Sequence, residues 1–569
     1  MMRKFLILLL GSLFLLSGCQ TAAENGDTNT DAASATDSEE VKVIDVASLF
    51  SERDLSSDYD ESAAVSIELA GDSISCDSDA VSIDGSCVTL LDEGTYLISG
   101  TLDDGQILVD ADDTDKVQIV LSGADITSTD SAAIYSLNAD KVFVTLEEGT
   151  DNTLTNGGTY AAIDENNIDG VIFSKTDLTL NGSGSLSINA QAGHGVVSKD
   201  ELTITDGSYS VTAAEHGLVG KDSLAIAGGT FQITAEKDGL HAENADDTSK
   251  GFLYIEDGTY TINAQGDAIS ASGALQVDGG NFELTTGEGS ASVTMPTEDE
   301  FAPGGRGGPS GDRPQKGRPN SEGEPAQQSG DPADTQTTEA PAQPVEKNQE
   351  SETTSTETTA ATDSISQKGM KADGMLVVNG GVFTVDSADD CIHSGGALTV
   401  THGTFTLSSG DDAIHSDDEV TIQSGEFSIP YCYEGVEGLA VTVEGGTFDV
   451  TAHDDGFNAA GGADSSGFGG RGDQFAVSED SFITVNGGTI TIVSDGDCLD
   501  SNGNLTVNGG TLDLTCNGSG NTTLDCNGTY TNDGGDVTTN DGAESNPSGM
   551  GGGRPGGKQA PPAQETPSA

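Results

Sequence analysis

A run of alternating apolar and polar residues, a turn ending in glycine and a second alternating run recur through this chain at one dominant interval. LTITDGSYSVTA from Leu202 returns as LAIAGGTFQITA from Leu224, then as LYIEDGTYTINA from Leu253 and LQVDGGNFELTT from Leu275. The pattern resumes with LVVNGGVFTVDS from Leu376 and LTVTHGTFTLSS from Leu398, and passes through VTIQSGEFSIPY and VTVEGGTFDVTA. It ends with ITVNGGTITIVS from Ile483 and LTVNGGTLDLTC from Leu505. The commonest interval is 22 residues, and the longer ones carry visible insertions such as GGADSSGFGGRGDQF from Gly461. Within one unit, Leu398 and Val400 alternate with polar residues, Phe405 and Leu407 do so after the turn at His402 and Gly403, and Ile414 marks a third run. Such alternation between glycine-rich turns predicts strands, and no helical period survives. Three short strands cannot bury their apolar faces alone, so units of this length must stack. The expected fold is all-β: a right-handed parallel β-helix, or solenoid, with three short strands in each coil of about 22 residues and coils about 4.8 Å apart.

Tyr209, Phe231, Tyr260, Phe282, Phe383, Phe405, Phe427, Phe448, Ile490 and Leu512 occupy one position of the second strand. They share the inward parity of the flanking Ile, Leu and Val, so they read as core rather than as a sugar-stacking platform.

Charge narrows the function. The chain carries 95 acidic against 21 basic residues, a net charge of −74. Nucleic acid is excluded as a partner, because phosphate binding needs a basic footprint. A chain this acidic attracts cations or is solvated. The N-terminal MMRKFLILLLGSLFLLSGCQ has a basic start at Arg3 and Lys4, an apolar run from Phe5 to Leu16, and then Ser17, Gly18 and Cys19. It is too short for a spanning helix and ends in small residues, as a secretory signal does. Its ending resembles a bacterial lipobox. That implies lipidation of Cys19 and an exported protein anchored by lipid at the outer face of the cell membrane; a monomer is expected. Export permits disulfides, and Cys76 with Cys87 and Cys516 with Cys526 are the candidate pairs.

The chain divides into a lipoprotein signal peptide (1–18), a disordered acidic tether (19–60), an N-terminal β cap with leading coils (61–141) and the first part of the β-helix (142–296). A disordered low-complexity insertion (297–367), the second part of the β-helix (368–545) and a disordered tail (546–569) follow.

Stacking would turn the period into ladders of charge. The position just before the small residue and the apolar residue that opens the third strand holds Asp238, Asp267, Asp390, Asp412, Glu434, Asp455 and Asp497, with Asp169, His194 and His216 nearer the N-terminus. The residue before it is acidic at Asp389, Asp411 and Asp454. Three residues after it stand His241, Ser270, His393, His415, Glu437, Asn458 and Asp500. Carboxylates about 4.8 Å apart resist joint ionisation, so protons or cations must sit among them. A lone Asp pair would be an ordinary turn facing solvent; its recurrence at one position argues for a cation. Calcium suits oxygen-rich sites of tolerant geometry, and the oxygen ligands outnumber the histidines that a transition metal would prefer. The candidate metal ligands are Asp389, Asp390, Asp411, Asp412, Asp454, Asp455, Asp495, Asp497 and Asp500, with His393, His415, Glu434 and Glu437 as further ligand-binding candidates.

Taken together, LTVNGGT, DDAIHS, YEGVEG and DGDCLDSNGNLTVNGGT resemble the clostridial carbohydrate-binding β-helix family over roughly residues 63–541. The resemblance implies a fold similar to pectate lyases, bound calcium, and binding to acidic plant or cell-wall polysaccharide such as polygalacturonate or pectin, with cellulose as a further candidate. It carries the calcium-ligand role to Asp389, Asp390, Asp411, Asp412, Asp454 and Asp455. His194 and His216 stand where many repeats of that family carry aspartate, so the N-terminal coils are expected to bind no metal. No catalytic residue is expected: a β-eliminase needs a base, and no Lys or Arg occurs between Lys371 and Arg471. The alternatives are a calcium-rigidified structural or adhesin-like stalk and a pectate-lyase-like β-eliminase.

Overall fold

The structure is a computed structural model that describes residues 43–161, 166–295, 366–459, 478 and 480–545. The signal peptide, Cys19, all but the last two residues of the insertion, and the tail lie outside those residues. Among the described residues there is no α-helix, only three single-turn 3-10 segments, and 44 strands join in one hydrogen-bonded sheet.

Two hairpins near the start are antiparallel: Val65–Gly71 with Ser73–Ser75, and Val81–Asp84 with Cys87–Leu90. Every other pairing is parallel, and through the repeats a strand generally pairs with the one three further along the chain. Phe383 lies opposite Phe405, Leu398 opposite Val420, and His393 opposite His415. The strands flanking the insertion pair directly, with Leu275 opposite Leu376 and Phe282 opposite Phe383. The hydrogen-bonded ladder thus passes the insertion without a missing step.

The second strand of each repeat alternates exposed and buried residues, as in Thr404–Ser409, where Phe405 and Leu407 point inward. Rings from Tyr209 to Phe448 stack one on the next, with centroids 4.6 to 5.3 Å apart and planes within 12° of parallel. All are buried in one apolar cluster that runs through the repeats. Each such ring removed from water contributes on the order of 1.5–3 kcal/mol. The turn before the strand needs glycine for two reasons. Gly403 has φ +149°, and a Cβ there would lie 2.7 Å from the Phe405 ring.

Two expectations change here. Residues 43–60, read as part of a tether, pack against the repeats. Asp54 is buried beneath them, 2.7 Å from Lys141 Nζ and accepting a 2.6 Å hydrogen bond from the Thr179 hydroxyl. Asn181 donates to the Asp54 carbonyl, and Gln276 accepts from the N–H groups of Val43 and Ile44. A buried charge with a lysine partner holds the segment down despite its polar composition. Neither candidate cysteine pair is bonded, and all seven described cysteines are thiols. Cys516 lies opposite Ser494 in one line of strands and Cys526 opposite Ser501 in another.

Candidate functional site

The third strand of each repeat is short, as in Ile392–Ser394 and Leu499–Ser501. Parallel pairing stacks the turn before it into three ladders. The first is tied by backbone hydrogen bonds to the carbonyls of Asp390, Asp412, Glu434, Asp455 and Asp497 in successive repeats. The second, three residues on, places His241, Ser270, Lys371, His393, His415, Glu437, Asn458, Asp500 and Asp525 opposite one another in turn. The third, just before the first, contains Asp389, Asp411 and Asp454.

A hydrogen-bonding rule runs along the first ladder. One side-chain acceptor takes the backbone N–H of the equivalent residue in the next repeat. His194 Nδ1 accepts from His216, and His216 Nδ1 from Asp238, both at 3.1 Å. Asp238 Oδ1 accepts from Asp267 at 2.8 Å and Asp267 Oδ1 from Lys368 at 2.7 Å. Asp390 Oδ1 accepts from Asp412 at 3.0 Å, Asp412 Oδ1 from Glu434 at 3.2 Å, and Asp455 Oδ1 from Asp497 at 2.6 Å. Asp and His therefore alternate at this position because each presents an acceptor about one bond beyond Cγ.

The ladder's charges are met differently along its length. Lys368 stands in the first ladder between Asp267 and Asp390, and no carboxylate of its own caps the next step. Its ammonium is buried, 2.9 Å from Asp389 Oδ1 and 2.8 Å from Asp390 Oδ2. The Asp390 N–H turns instead to Asp389 Oδ1 at 3.0 Å. His393 Nδ1 lies 2.9 Å from Asp390 Oδ2. Burial disfavours the Asp390 charge, but Lys368 and His393 outweigh it and hold the carboxyl below its ordinary range. One step on, His415 Nδ1 lies 3.0 Å from both Asp412 Oδ2 and Glu437 Oε2. One N–H cannot serve two carboxylates. Burial and the neighbouring Asp411 and Glu437 push Asp412 well up, while His415 overcomes burial to hold Glu437 down.

Beyond this point, among the described residues, no lysine or arginine follows Lys371, and no imidazole enters either ladder. Burial first, then Glu437, Asp412 and Asp455, pushes Glu434 well up. Burial, Asp454 and Asp500 do the same to Asp455. Burial pushes Asp497 to about 7 and, with Asp525 and Asp454, Asp500 to about 6. Carboxylate oxygens of Asp497, Asp500 and Asp525 lie within 4.8 Å of one another. Asn458 is buried between Glu437 and Asp500. Its amide donates to Glu434 Oε2 at 2.8 Å, while its Oδ1 has no hydrogen-bond partner among the described residues. Gly496 opens the space: a Cβ there would lie 2.4 Å from Asp455 Oδ1 and 2.5 Å from Asp454 Oδ1.

The structure thus brings Asp389, Asp390, Asp411 and Asp412 together with His393 and His415, and gathers Asp454, Asp455, Asp497 and Asp500 further on. Asp495 is exposed and joins neither group. Two members were missed from sequence. Lys368 follows the insertion directly, where the period is cut; Lys368-Gly369-Met370 aligns with Asp390-Cys391-Ile392 only once the strands are paired. Asp525 ends the second ladder, and Leu524-Asp525-Cys526 repeating Leu499-Asp500-Ser501 was its signal.

The rings of His393 and His415 are 4.9 Å apart and 11° from parallel, and those of His194 and His216 are 5.1 Å apart and also 11° from parallel. Ligand atoms of Asp390, His393 and His415, and likewise of His216, Asp238 and His241, lie within 4.8 Å of one another, so these histidine groups are further places where a metal could be held. Near His194, His216 and His241 lie two adjoining depressions of about 390 and 330 Å³. Their lysines are paired with acids: Lys221 with Asp246 at 3.1 Å, and Lys237 with Glu215 at 3.1 Å.

A family model described as carbohydrate-binding domain-containing protein matches residues 84–413 and 411–553. A carbohydrate-binding domain-containing protein from Acetivibrio thermocellus is 38% identical over 145 residues, 25% of this chain and 51% of that protein. The chain thus spans about half the length of the curated relative it matches. Among solved structures, the gadolinium derivative of the polysaccharide lyase-like protein from C. thermocellum is 36% identical, covers 39% of this chain and 92% of that one, and superposes with a TM-score of 0.39.

Proposed function

Since this chain belongs to the carbohydrate-binding domain-containing family, we propose that it is a binding protein rather than an enzyme, and that its acidic ladder holds calcium, which bridges to acidic polysaccharide of the polygalacturonate or pectin type. The observation that carries this reading is the group at the C-terminal end. Asp454, Asp455, Asp497, Asp500 and Asp525 gather in a stretch that holds no lysine or arginine among the described residues, beside a buried Asn458 Oδ1 with no hydrogen-bond partner among them. Burial and mutual repulsion raise Asp455, Asp497 and Asp500, which favours a cation that can displace the retained protons. Calcium accepts many oxygen ligands in loose geometry, and these residues offer carboxylate and amide oxygens alone. Asp412 and Glu437 adjoin as a second group, with His415 between them and Glu434 beside it.

A uronate polymer is anionic and is repelled by a chain of net charge −74. A metal held by the protein with coordination positions left over supplies the missing attraction. In this reading the parallel strands wind as a right-handed β-helix, and the protein is exported and held at the outer face of the cell membrane through lipid on Cys19, as a monomer. Affinity electrophoresis of the full chain in gels containing polygalacturonate tests it. Retardation is expected with calcium and is lost in chelator; equal retardation in both conditions sinks the calcium mechanism.

A further inference from the structure

The first ladder contains one residue whose chemistry is opposite to that of its neighbours. Lys368 occupies the position filled by Asp267 before it and Asp390 after it, as the pairing of Met370 with Ile392 fixes. Its ammonium is not a surface charge reaching inward. The side chain is 6% exposed and its nitrogen lies within 3 Å of oxygens from both Asp389 and Asp390. Carboxylate oxygens of Asp389, Asp390 and Asp411, from the third and first ladders, come within 4.8 Å of one another, as do those of Asp497, Asp500 and Asp525, from the first and second. Asp454 and Asp455 hold the places of Asp389 and Asp390 in the same backbone frame and differ from them in what stands one repeat before. At the C-terminal group the residue one repeat before Asp454 and Asp455 is Glu434, where Lys368 stands before Asp389 and Asp390.

We propose that Lys368 is a built-in cation that takes the place of a metal ion at Asp389, Asp390 and Asp411, so that the ladder accepts calcium only on its C-terminal side, and that removing the lysine opens a further calcium site. The inference rests on the reading of the ladder as calcium-binding, but it concerns where along the ladder the metal is admitted. A primary ammonium donates along three directions and can satisfy two carboxylates at hydrogen-bond distance. It carries one positive charge, cannot be lost to a chelator, and cannot offer a coordination position to a sugar. Lys368 therefore fixes this stretch of the ladder and withdraws it from ligand binding. It also separates the calcium-accepting end from the lysine- and histidine-rich repeats that begin at His194.

The test is metal stoichiometry on the full chain, by elemental analysis after gel filtration in micromolar calcium and by terbium luminescence. Lys368→Met is expected to bind one calcium more than the native protein, and to gain a calcium-dependent rise in melting temperature beyond the native one. The converse variant, Glu434→Lys, recreates the lysine one repeat before Asp454 and Asp455. It is expected to fold in chelator, to bind at least one calcium fewer, and to lose calcium sensitivity in its melting. Unchanged stoichiometry in Lys368→Met overturns the proposal. If that variant does not fold even in calcium, Glu434→Lys decides alone, and full retention of calcium there overturns the proposal. A native protein that binds no calcium while Lys368→Met binds one refutes the C-terminal site and still supports the role of Lys368. No binding to either protein refutes both.

Discussion

From His194 to His415 and from Glu434 to Asp525 the same turn is stacked on the same strands, yet the two stretches surround their acids with different neighbours. In the first, lysines and imidazoles are interleaved with the acids. Asp238 lies 2.7 Å from His241 Nδ1, Asp390 has Lys368 and His393, and Asp412 shares His415 with Glu437. Burial works against the Asp238 and Asp390 charges, but the imidazoles beside Asp238 and Lys368 beside Asp390 hold both carboxyls below their ordinary range. In the second stretch, past the His415–Glu437 contact, the described residues bring no lysine, arginine or imidazole into the ladders, and burial with the neighbouring acids pushes Asp455, Asp497 and Asp500 up. The fold dictates where the carboxylates stand; the identity of a few neighbours decides how far their charges are met within the protein.

The largest effect expected from disturbing this contrast comes from breaking the internal pair. Lys368→Met in chelator leaves Asp390 buried and without its main countercharge, at a cost of about 3–5 kcal/mol. Urea unfolding should show it, with recovery on adding calcium. A loss under about 1 kcal/mol would mean that His393 alone suffices and that the two stretches differ less than their geometry implies.

Next in size is the response to pH. For the raised groups, Asp497 at about 7 and Asp500 at about 6, the folded chain keeps protons that the unfolded chain releases from about pH 4 upward. Stability of the metal-free protein should therefore fall between about pH 4 and 7, by on the order of a few kcal/mol. The lowered groups, Asp238 and Asp390, act in the other direction: their contribution is present at neutral pH and is lost as the pH falls below the ordinary carboxylate range. Urea midpoints at pH 5 and pH 8 in chelator measure the first trend. General repulsion from the net negative charge has the same sign, so the pair Asp497→Asn and Asp500→Asn is the control. That variant should flatten most of the slope, and calcium should flatten it in the native protein. A metal-free protein more stable at pH 8 than at pH 5 contradicts the assignment.

How much of this could be read beforehand follows from what a period can carry. Strand positions, the aromatic stack from Tyr209 to Phe448, and the acids at Asp390, Asp412, Asp455 and Asp497 recur at fixed intervals, so pattern alone locates them. Lys368 escaped because the insertion cuts the sequence just before it and because alignment keyed on carboxylates passes over a lysine. Asp54 escaped for a different reason: it is a single buried acid in an acidic segment, and only its meeting with Lys141 and Thr179 distinguishes it. Asp495, two places before Asp497, lies in the bend that ends the second strand, where the chain changes direction and the side chain stays exposed, so nearness in sequence does not bring it to the ladder.

The smallest effect concerns the acceptor role of the first ladder, and it explains why histidine can replace aspartate in the N-terminal repeats. His216 offers Nδ1 to the Asp238 N–H at 3.1 Å, while its ring stacks on His241 at 4.1 Å between centroids. Two contributions are thus combined in one side chain, and two substitutions separate them. His216→Phe keeps a ring in the stack and removes the acceptor, so the Asp238 N–H loses its partner at a cost of about 1 kcal/mol. His216→Asn removes the ring but restores an oxygen at the reach that Asp238 Oδ1 and Asp390 Oδ1 use in their own repeats. Hydrogen–deuterium exchange of the peptide containing Asp238 should therefore be accelerated severalfold by His216→Phe and remain near native in His216→Asn. The opposite order would make ring stacking, not the backbone cap, the reason for the imidazole. The two stretches would then differ in how they are built as well as in how they are charged.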